Sequence, residues 1–153
     1  MSLRAQIDEA LKQAMKAGDK RRVSTLRLMN SAIKDKDILS RTDGHASALT
    51  PDAGLVDLFA KMVKQRQEST AAYEQGGRPE LAQAEREEIA IIQSYMPKQL
   101  SDDDAKAAIA AIIKAVGAAS VKDMGKVMAE LKAKHAGQMD MAKAGAIVKG
   151  LLG

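Results

Sequence analysis

Apolar residues recur every three or four positions along nearly every long segment of this chain, as they do on one face of an α-helix. Leu3, Ile7 and Leu11 begin such a stripe, which reaches Met15. Runs of Val, Thr and aromatic residues, which favour strands, are missing from the sequence. The pattern therefore predicts an all-α fold. The fourth helix is expected to place four residues inward: Leu81, Ile89, Ile92 and Tyr95.

Glycine and proline divide the predicted helices into two groups. Gly18 ends the first helix, and the Gly76-Gly77 pair ends the third. Pro97 closes the fourth helix, because proline is not tolerated in a helix interior. We predict an N-terminal helical subdomain of about four helices over residues 1–97, followed by a small C-terminal three-helix subdomain over residues 98–153.

Capping signals mark several of the predicted helix starts. A side-chain oxygen at the N-cap accepts a hydrogen bond from a free N–H group of the first turn. We expect N-caps at four residues: Asp19, Thr50, Ser101 and Asp140. Ser120, with Asp123 three residues later, resembles a capping box, and Pro51 is suited to a first helical position. Residues 40–48 have no periodicity and predict a mobile loop.

The net charge of +4 is unevenly distributed along the chain. Residues 1–97 contain 15 Lys or Arg against 14 Asp or Glu, whereas residues 98–153 contain nine Lys against six acids. A cationic surface favours anionic partners, and the phosphate backbone of nucleic acids is the first candidate. The alternative is a solvated lysine-rich surface that only maintains solubility. Charge alone leaves both interpretations open.

The sequence contains no recognisable reaction centre. His45 and His135 are far apart with no partner at metal-ligand spacing, and no serine lies in a G-x-S-x-G elbow. The Gly76-Gly77 pair is not followed by the Lys-Ser/Thr pair of a phosphate-binding loop. We therefore expect a non-catalytic protein that requires neither a metal nor a cofactor.

The sequence also bears on cellular location. The N-terminus lacks the hydrophobic block of a signal peptide, and no apolar run approaches the roughly 20 residues that cross a bilayer. Cysteine is absent, which excludes disulfides. We expect a soluble cytoplasmic protein with no membrane partner.

A first basic group lies in the N-terminal subdomain, where Lys61, Lys64 and Arg66 are on the third helix and Arg78 follows the glycine pair. Lys64 and Arg78 are candidates for anion binding. Arg66 has a structural interpretation, because it can reach an acid on the antiparallel fourth helix. The two acids at suitable positions are Glu85 and Glu88.

A second basic group consists of Lys122, Gly125 and Lys126, in a helix that is expected to open at Ser120. Gly125 is then predicted in the second turn, where glycine costs about 1 kcal/mol relative to alanine. A close backbone contact would offset that cost. The contact is either with an anionic ligand at the helix start or with the last helix, over residues 141–152, and both remain open.

Several motifs together resemble the GatB/YqeY family, and in particular its stand-alone YqeY-like members. They include Leu26-Arg27-Leu28-Met29, Lys64-Gln65-Arg66, Gly77-Arg78-Pro79-Glu80, Tyr95-Met96-Pro97-Lys98 and Lys122-Asp123-Met124-Gly125-Lys126. The C-terminal part is similar to the tail of the GatB subunit of tRNA-dependent amidotransferase, and similar domains extend some glutaminyl-tRNA synthetases. The resemblance implies a tRNA-binding accessory that grips the outer corner of the tRNA. This chain reads Gly137-Gln138-Met139-Asp140 where the family commonly has Gly-Arg-Ala-Asp, so one expected cation is missing.

The leading hypothesis is a non-catalytic domain that binds tRNA or another structured RNA. Its candidate RNA-binding residues are Lys122, Gly125, Lys126, Lys132, Lys134, His135, Lys143, Lys64 and Arg78. A second hypothesis is a protein-interaction module that docks on an aminoacyl-tRNA synthetase or an amidotransferase through Met-bearing helix faces. The third and weakest is a carbon–nitrogen ligase with glutamine as amido donor, for which the chain offers no catalytic residues.

Overall fold

A computed structural model describes residues 2–42 and 49–153 of the chain. Within these two ranges the backbone forms α-helices, one short 3-10 helix and no strand, so the predicted all-α fold is confirmed. The α-helices are α1 (Leu3–Ala17), α2 (Lys20–Thr42), α3 (Asp52–Gln75), α4 (Pro79–Gln93), α5 (Asp102–Val116), α6 (Met124–His135) and α7 (Met141–Leu152). The 3-10 helix, Val121–Asp123, directly precedes α6.

The chain divides into two compact units, Met1–Met96 and Pro97–Gly153. In the first unit α3 packs along α4, while α1 and α4 both pack on α2. Its core surrounds the fully buried Phe59. The other buried residues of this core are Ile7, Ala14, Leu26, Met29, Ile33, Leu55, Met62, Val63 and Ile92.

The second unit is a three-helix arrangement in which α5, α6 and α7 all pack on one another. Its core contains no aromatic residue: the buried members are Ile109, Ile112, Val127, Leu131, Ala144 and Val148. The chain before α5 is attached to the turn after α6, because Leu100 N–H donates to the Gln138 carbonyl at 2.8 Å. The Gln99 side-chain amide also donates to the Gly137 carbonyl.

Three of the four predicted N-caps are confirmed. The side-chain oxygens of Asp19, Ser101 and Asp140 accept hydrogen bonds from backbone N–H groups two or three residues ahead, at 3.2, 3.1 and 2.8 Å respectively. Gly18 and Gly117 end α1 and α5 with φ near +70°, the left-handed conformation that glycine adopts without steric cost.

The predicted cap at Thr50 is wrong. Thr50 is buried, and its N–H donates to Asp37 Oδ1 at 2.9 Å instead of its side chain capping α3. Pro51 therefore occupies the cap position, and the first helical residue is Asp52.

The boundary of the predicted loop is also corrected. Helix α2 continues to Thr42, so residues 40–42 are helical, and the rest of the predicted loop, with His45, lies outside the described residues.

Two positions on the predicted apolar stripes are exposed. Met15 is 53% exposed and Leu81 is 37% exposed, whereas their neighbours Ala14 and Ala82 are buried. The small alanine side chains therefore occupy the core-facing positions at these two points. Met15 and Leu81, each next to the alanine along its helix, point about 100° away from it and so face solvent.

A charged cluster that the sequence analysis did not anticipate joins three segments of the first unit. Arg4 donates to both carboxylate oxygens of Asp37, at 2.8 and 2.7 Å, and to the Thr50 carbonyl at 2.9 Å. Asp37 is only 6% exposed. The hydrogen bond from Arg4 holds the pKa of Asp37 well below its usual range, with help from the Thr50 N–H. The cluster fixes α1, the end of α2 and the chain before α3 to one another.

Candidate nucleic-acid interface

The start of α6 is built by the 3-10 helix and by a side chain that reaches back along the chain. Asp123 Oδ2 accepts a hydrogen bond from the Ala119 N–H at 2.9 Å. This bond lowers the pKa of Asp123, as do a bond from the Ser120 N–H and the charge of Lys126. The Ser120 side chain makes no capping bond, so only the acidic half of the predicted capping box forms. The segment that carries Lys122 is therefore anchored by Asp123.

Gly125 differs from its prediction in two ways. It is the second residue of α6 and so lies in the first turn, because the 3-10 helix replaces the turn that was expected to precede it. It is also exposed, and a Cβ added to it would meet no atom within 4 Å. Packing against α7 does not account for this glycine. The close α6–α7 contact is instead made by Met124, whose terminal methyl would lie 3.6 Å from a Cβ on Gly145.

Three of the predicted lysines are exposed on the 3-10 helix and α6, and two of them, Lys122 and Lys126, are near Gly125 in the chain. Lys122, Lys126 and Lys132 are exposed, whereas Val127 and Leu131 of the same helix are buried in the core. At about 100° per residue, Lys126 and Lys132 each lie roughly 100–140° around the helix from these two buried residues, on opposite flanks. We call Lys122, Gly125, Lys126 and Lys132 the α6 surface.

Lys134 and His135, which follow on the same helix, have local partners. Lys134 Nζ lies 3.5 Å from Glu130 Oε2, one turn back along α6. His135 is half-buried, and its Nδ1 lies 2.8 Å from Gln138 Oε1. The Gln138 side chain also donates to the Lys98 carbonyl at 3.3 Å. Gln138 thus connects the end of α6 to the chain before α5.

The remaining predicted residues lie apart from the α6 surface. Lys143 is exposed on α7, on the same face as Gly150, which is seven residues later. Lys64 and Arg78 are exposed residues of the first unit. Arg66 Nε donates to Glu88 Oε2 at 2.9 Å, which confirms the structural role predicted for this arginine.

The second unit also contains an apolar groove between α5 and α7 with a volume of about 530 Å³. It is lined by Lys106, Ala107, Ala110, Ile147, Gly150 and Leu151. Among residues 2–42 and 49–153, no group of three or more His, Asp or Glu residues is arranged to hold a metal ion. Over the same ranges, no helix has the length and apolar character that crossing a membrane requires.

A family model for YqeY-like proteins matches residues 4–152, which is nearly the whole chain. The chain belongs to the YqeY-like family. The match spans both units, so it includes the anchored start of α6 as well as the helices of the first unit.

Curated relatives come from several yeasts and share the name "Altered inheritance of mitochondria protein 41, mitochondrial". The relative from Eremothecium gossypii is 36% identical over 92 residues, which cover 60% of this chain and 48% of the relative. The Kluyveromyces lactis relative is 34% identical over 91 residues, covering 60% of this chain and 46% of the relative. The chain therefore spans about half the length of the curated relatives it matches.

These names contradict the cytoplasmic location predicted from the sequence. The relatives are named as mitochondrial proteins. The prediction rested on the absence of cysteine and of a signal-peptide block, and these features are equally compatible with the cytosol and with the interior of an organelle. Composition could not separate the two locations, and we withdraw the prediction.

Proposed function

We propose that this protein is a non-catalytic binding protein for tRNA or another structured RNA, and that the α6 surface is its principal contact. The observation that carries the proposal is the combination of an uncovered glycine with exposed lysines on both sides of it, at Lys122 and Lys126. No neighbouring side chain occupies the space above Gly125, so a phosphate group can approach the backbone there.

The chemistry of this surface suits phosphate and sugar contacts more than base recognition. Lysine ammonium groups bind phosphates as mobile point charges, and the main chain at Gly125 is accessible to a second polar contact. Neither Tyr73 nor Tyr95 is fully exposed, and both belong to the first unit, so the second unit has no aromatic platform on which bases stack. Recognition by shape, as in other proteins that bind folded RNA, fits these features.

The test is the double charge reversal Lys122→Glu with Lys126→Glu. Each contact to phosphate releases counterions, so the variant should bind unfractionated tRNA at least about tenfold more weakly and show a shallower dependence of affinity on salt. Lys106→Glu with Lys114→Glu is the matched control, since it makes the same charge change at exposed positions of α5. Affinity is measured by fluorescence anisotropy at several salt concentrations.

Two results would contradict the proposal. One is the absence of tRNA binding by the wild-type protein at low salt. The other is an equal loss of affinity in the α6 and α5 variants, since the effect would then reflect net charge instead of a defined surface.

The apolar groove favours a second candidate, a protein-interaction module that docks on an aminoacyl-tRNA synthetase or an amidotransferase. In the second unit the Met-bearing faces expected to serve this purpose are turned inward, because Met124, Met128, Met139 and Met141 pack against its core. The groove instead presents Leu151, which is 55% exposed. Partner recovery that survives RNase treatment and is lost in Leu151→Glu would favour this function over RNA binding.

A further inference from the structure

Helix α2 carries a basic residue at every seventh position. These residues are Lys20, Arg27, Lys34 and Arg41, and all four are exposed. At a rise of 1.5 Å per residue, successive members are about 10.5 Å apart and the whole line is about 32 Å long. A seven-residue step turns an α-helix by only about 20° short of two full turns, so the four side chains stay on one side of the helix. We call them the α2 stripe.

The α2 stripe faces away from the core of the first unit. Leu26, Met29 and Ile33, on the other side of the helix, are buried. No hydrogen bond or ion pair joins a side chain of the stripe to another residue in the ranges 2–42 and 49–153.

Other arginines of α2 behave differently. Arg21 lies 3.3 Å from Glu87 Oε2, and Arg22 donates to the Tyr95 hydroxyl at 3.2 Å. The helix thus separates cations that hold the unit together from cations that project into solvent.

The residues between the stripe cations are suited to phosphate as well. Ser24 and Ser31 are exposed and lie four residues after Lys20 and Arg27, so each hydroxyl lies between two cations. Serine, like lysine and arginine, commonly contacts phosphate oxygens in nucleic-acid complexes. Of the acids in α2, Asp37 is buried against Arg4, which leaves Asp35 as the exposed acid of the helix.

We propose that the α2 stripe is a second RNA-binding surface, which docks lengthwise along the phosphate backbone of double-stranded RNA. A row of cations and hydroxyls along one side of a helix matches a polyanion whose charges also repeat along its length, and double-stranded RNA is recognised mainly through its backbone and shape. The inference rests on the proposed function only for the class of ligand, because the residues belong to the other unit of the chain.

The same row is less suited to an acidic membrane. A helix that lies on a bilayer buries its apolar face in the lipid, whereas the apolar face of α2 is packed inside the first unit. Two apolar residues are in line with the stripe: Val23, which is half-buried against the core, and Ile38, which is exposed. Leu28 and Leu39 lie on a different side of the helix, beyond the serines.

The experiment uses the full chain and a blunt RNA duplex of about 20 base pairs, a probe that has the backbone of tRNA but not its corner. Arg27→Glu with Lys34→Glu should weaken duplex binding at least about tenfold and reduce the steepness of its salt dependence. Lys12→Glu with Lys16→Glu, at exposed positions of α1, makes the same charge change and should alter affinity by less than about threefold. Circular dichroism confirms that both variants fold.

The α6 and α2 charge-reversal variants test the two proposals separately, because each changes residues of only one unit. The α6 variant, Lys122→Glu with Lys126→Glu, should retain duplex binding, while the α2 variant loses it. If the α2 and α1 variants bind the duplex equally, or if the wild-type protein does not bind it, the α2 stripe is not an RNA surface, whatever the α6 variant does with tRNA. Binding to vesicles of acidic phospholipid that requires Arg27 and Lys34, with duplex binding unchanged, would assign the stripe to membranes and overturn the inference.

Discussion

Several ion pairs in the first unit join different helices, whereas the pair Lys134–Glu130 in the second unit lies within one turn of α6. Arg4 of α1 pairs with Asp37 of α2, and Arg66 of α3 pairs with Glu88 of α4. Arg86 of α4 likewise contacts Glu74 of α3. In the second unit the helices are held by small aliphatic side chains, and the exposed lysines of the α6 surface project into solvent.

This difference separates two uses of charge. A cation with a fixed carboxylate partner stabilises a helix arrangement and is not available to a ligand. A solvated lysine contributes little to folding, and it can bind an anion at low cost because it gives up no intramolecular contact. The first unit also has solvated cations, and those of the α2 stripe resemble the lysines of the α6 surface more than their neighbours Arg21 and Arg22.

The largest expected effect on stability comes from replacing Asp37, whose charge holds three segments of the first unit together. Asp37→Asn keeps an acceptor for the Thr50 N–H but removes the ion pair with Arg4. We expect it to lower the free energy of unfolding by about 2 kcal/mol, because an arginine loses its partner at a largely buried site. Urea denaturation measures the change. Asp35→Asn, an exposed position on the same helix, is the control and should stay within about 0.5 kcal/mol of wild type.

The pH dependence sharpens this prediction. Because the folded-state pKa of Asp37 is lowered, its contribution is complete above the unfolded-state pKa of about 3.9 and is lost as pH falls below that value. The stability difference between wild type and Asp37→Asn should therefore be constant from neutral pH to about pH 5 and shrink below about pH 4. A difference that grows on acidification would show that the carboxylate is not the stabilising form.

A smaller effect, of opposite sign, is expected in the second unit. Gly125→Ala should raise the free energy of unfolding by up to about 1 kcal/mol, since the added methyl group meets no neighbour and alanine favours the helix. Gly150→Ala is a matched control, because this glycine is also helical, exposed and without neighbours within 4 Å of an added Cβ. Both variants should be stabilised, but only Gly125→Ala should weaken tRNA binding. Equal tRNA affinities would show that RNA does not approach the backbone at Gly125.

The smallest expected effect on stability comes from the α6 lysines. Lys122→Glu with Lys126→Glu should change the free energy of unfolding by no more than about 0.5 kcal/mol, because both side chains are exposed. Thermal denaturation checks this. A loss of unfolding free energy as large as that of Asp37→Asn would show that the α6 lysines also stabilise the fold, so charge would not serve different roles in the two units.

Features that depend on neighbouring residues in sequence were predictable. The helices, and the caps at Ser101 and Asp140, follow from patterns a few residues long. The Arg66–Glu88 pair also followed, since the glycine turn makes α3 and α4 antiparallel neighbours. The caps involve residues two or three positions apart, and the Arg66–Glu88 pair joins two helices that a short turn places side by side.

Features that depend on distant segments were not predictable in the same way. The partners Arg4 and Asp37 are 33 residues apart, although an acid four residues after Ile33, on an apolar stripe, was a signal that something must neutralise it. The openness around Gly125 depends on where α7 lies, which no local pattern specifies. The α2 stripe was not singled out from the sequence. Its seven-residue spacing can be read in the sequence, but only the structure shows that these cations lack partners among the described residues while Arg21 and Arg22 have them.

The cluster of Arg4, Asp37 and Thr50 has a practical consequence for labelling the protein. Asp37 precedes residues 43–48 and Thr50 follows them, and the bonds that join Arg4, Asp37 and Thr50 are made by atoms outside that segment. A fluorescent tag or affinity peptide inserted there removes none of the atoms that make the bonds of the cluster. A reporter placed there would let the proposed RNA binding be tested on a protein whose cluster atoms are all present.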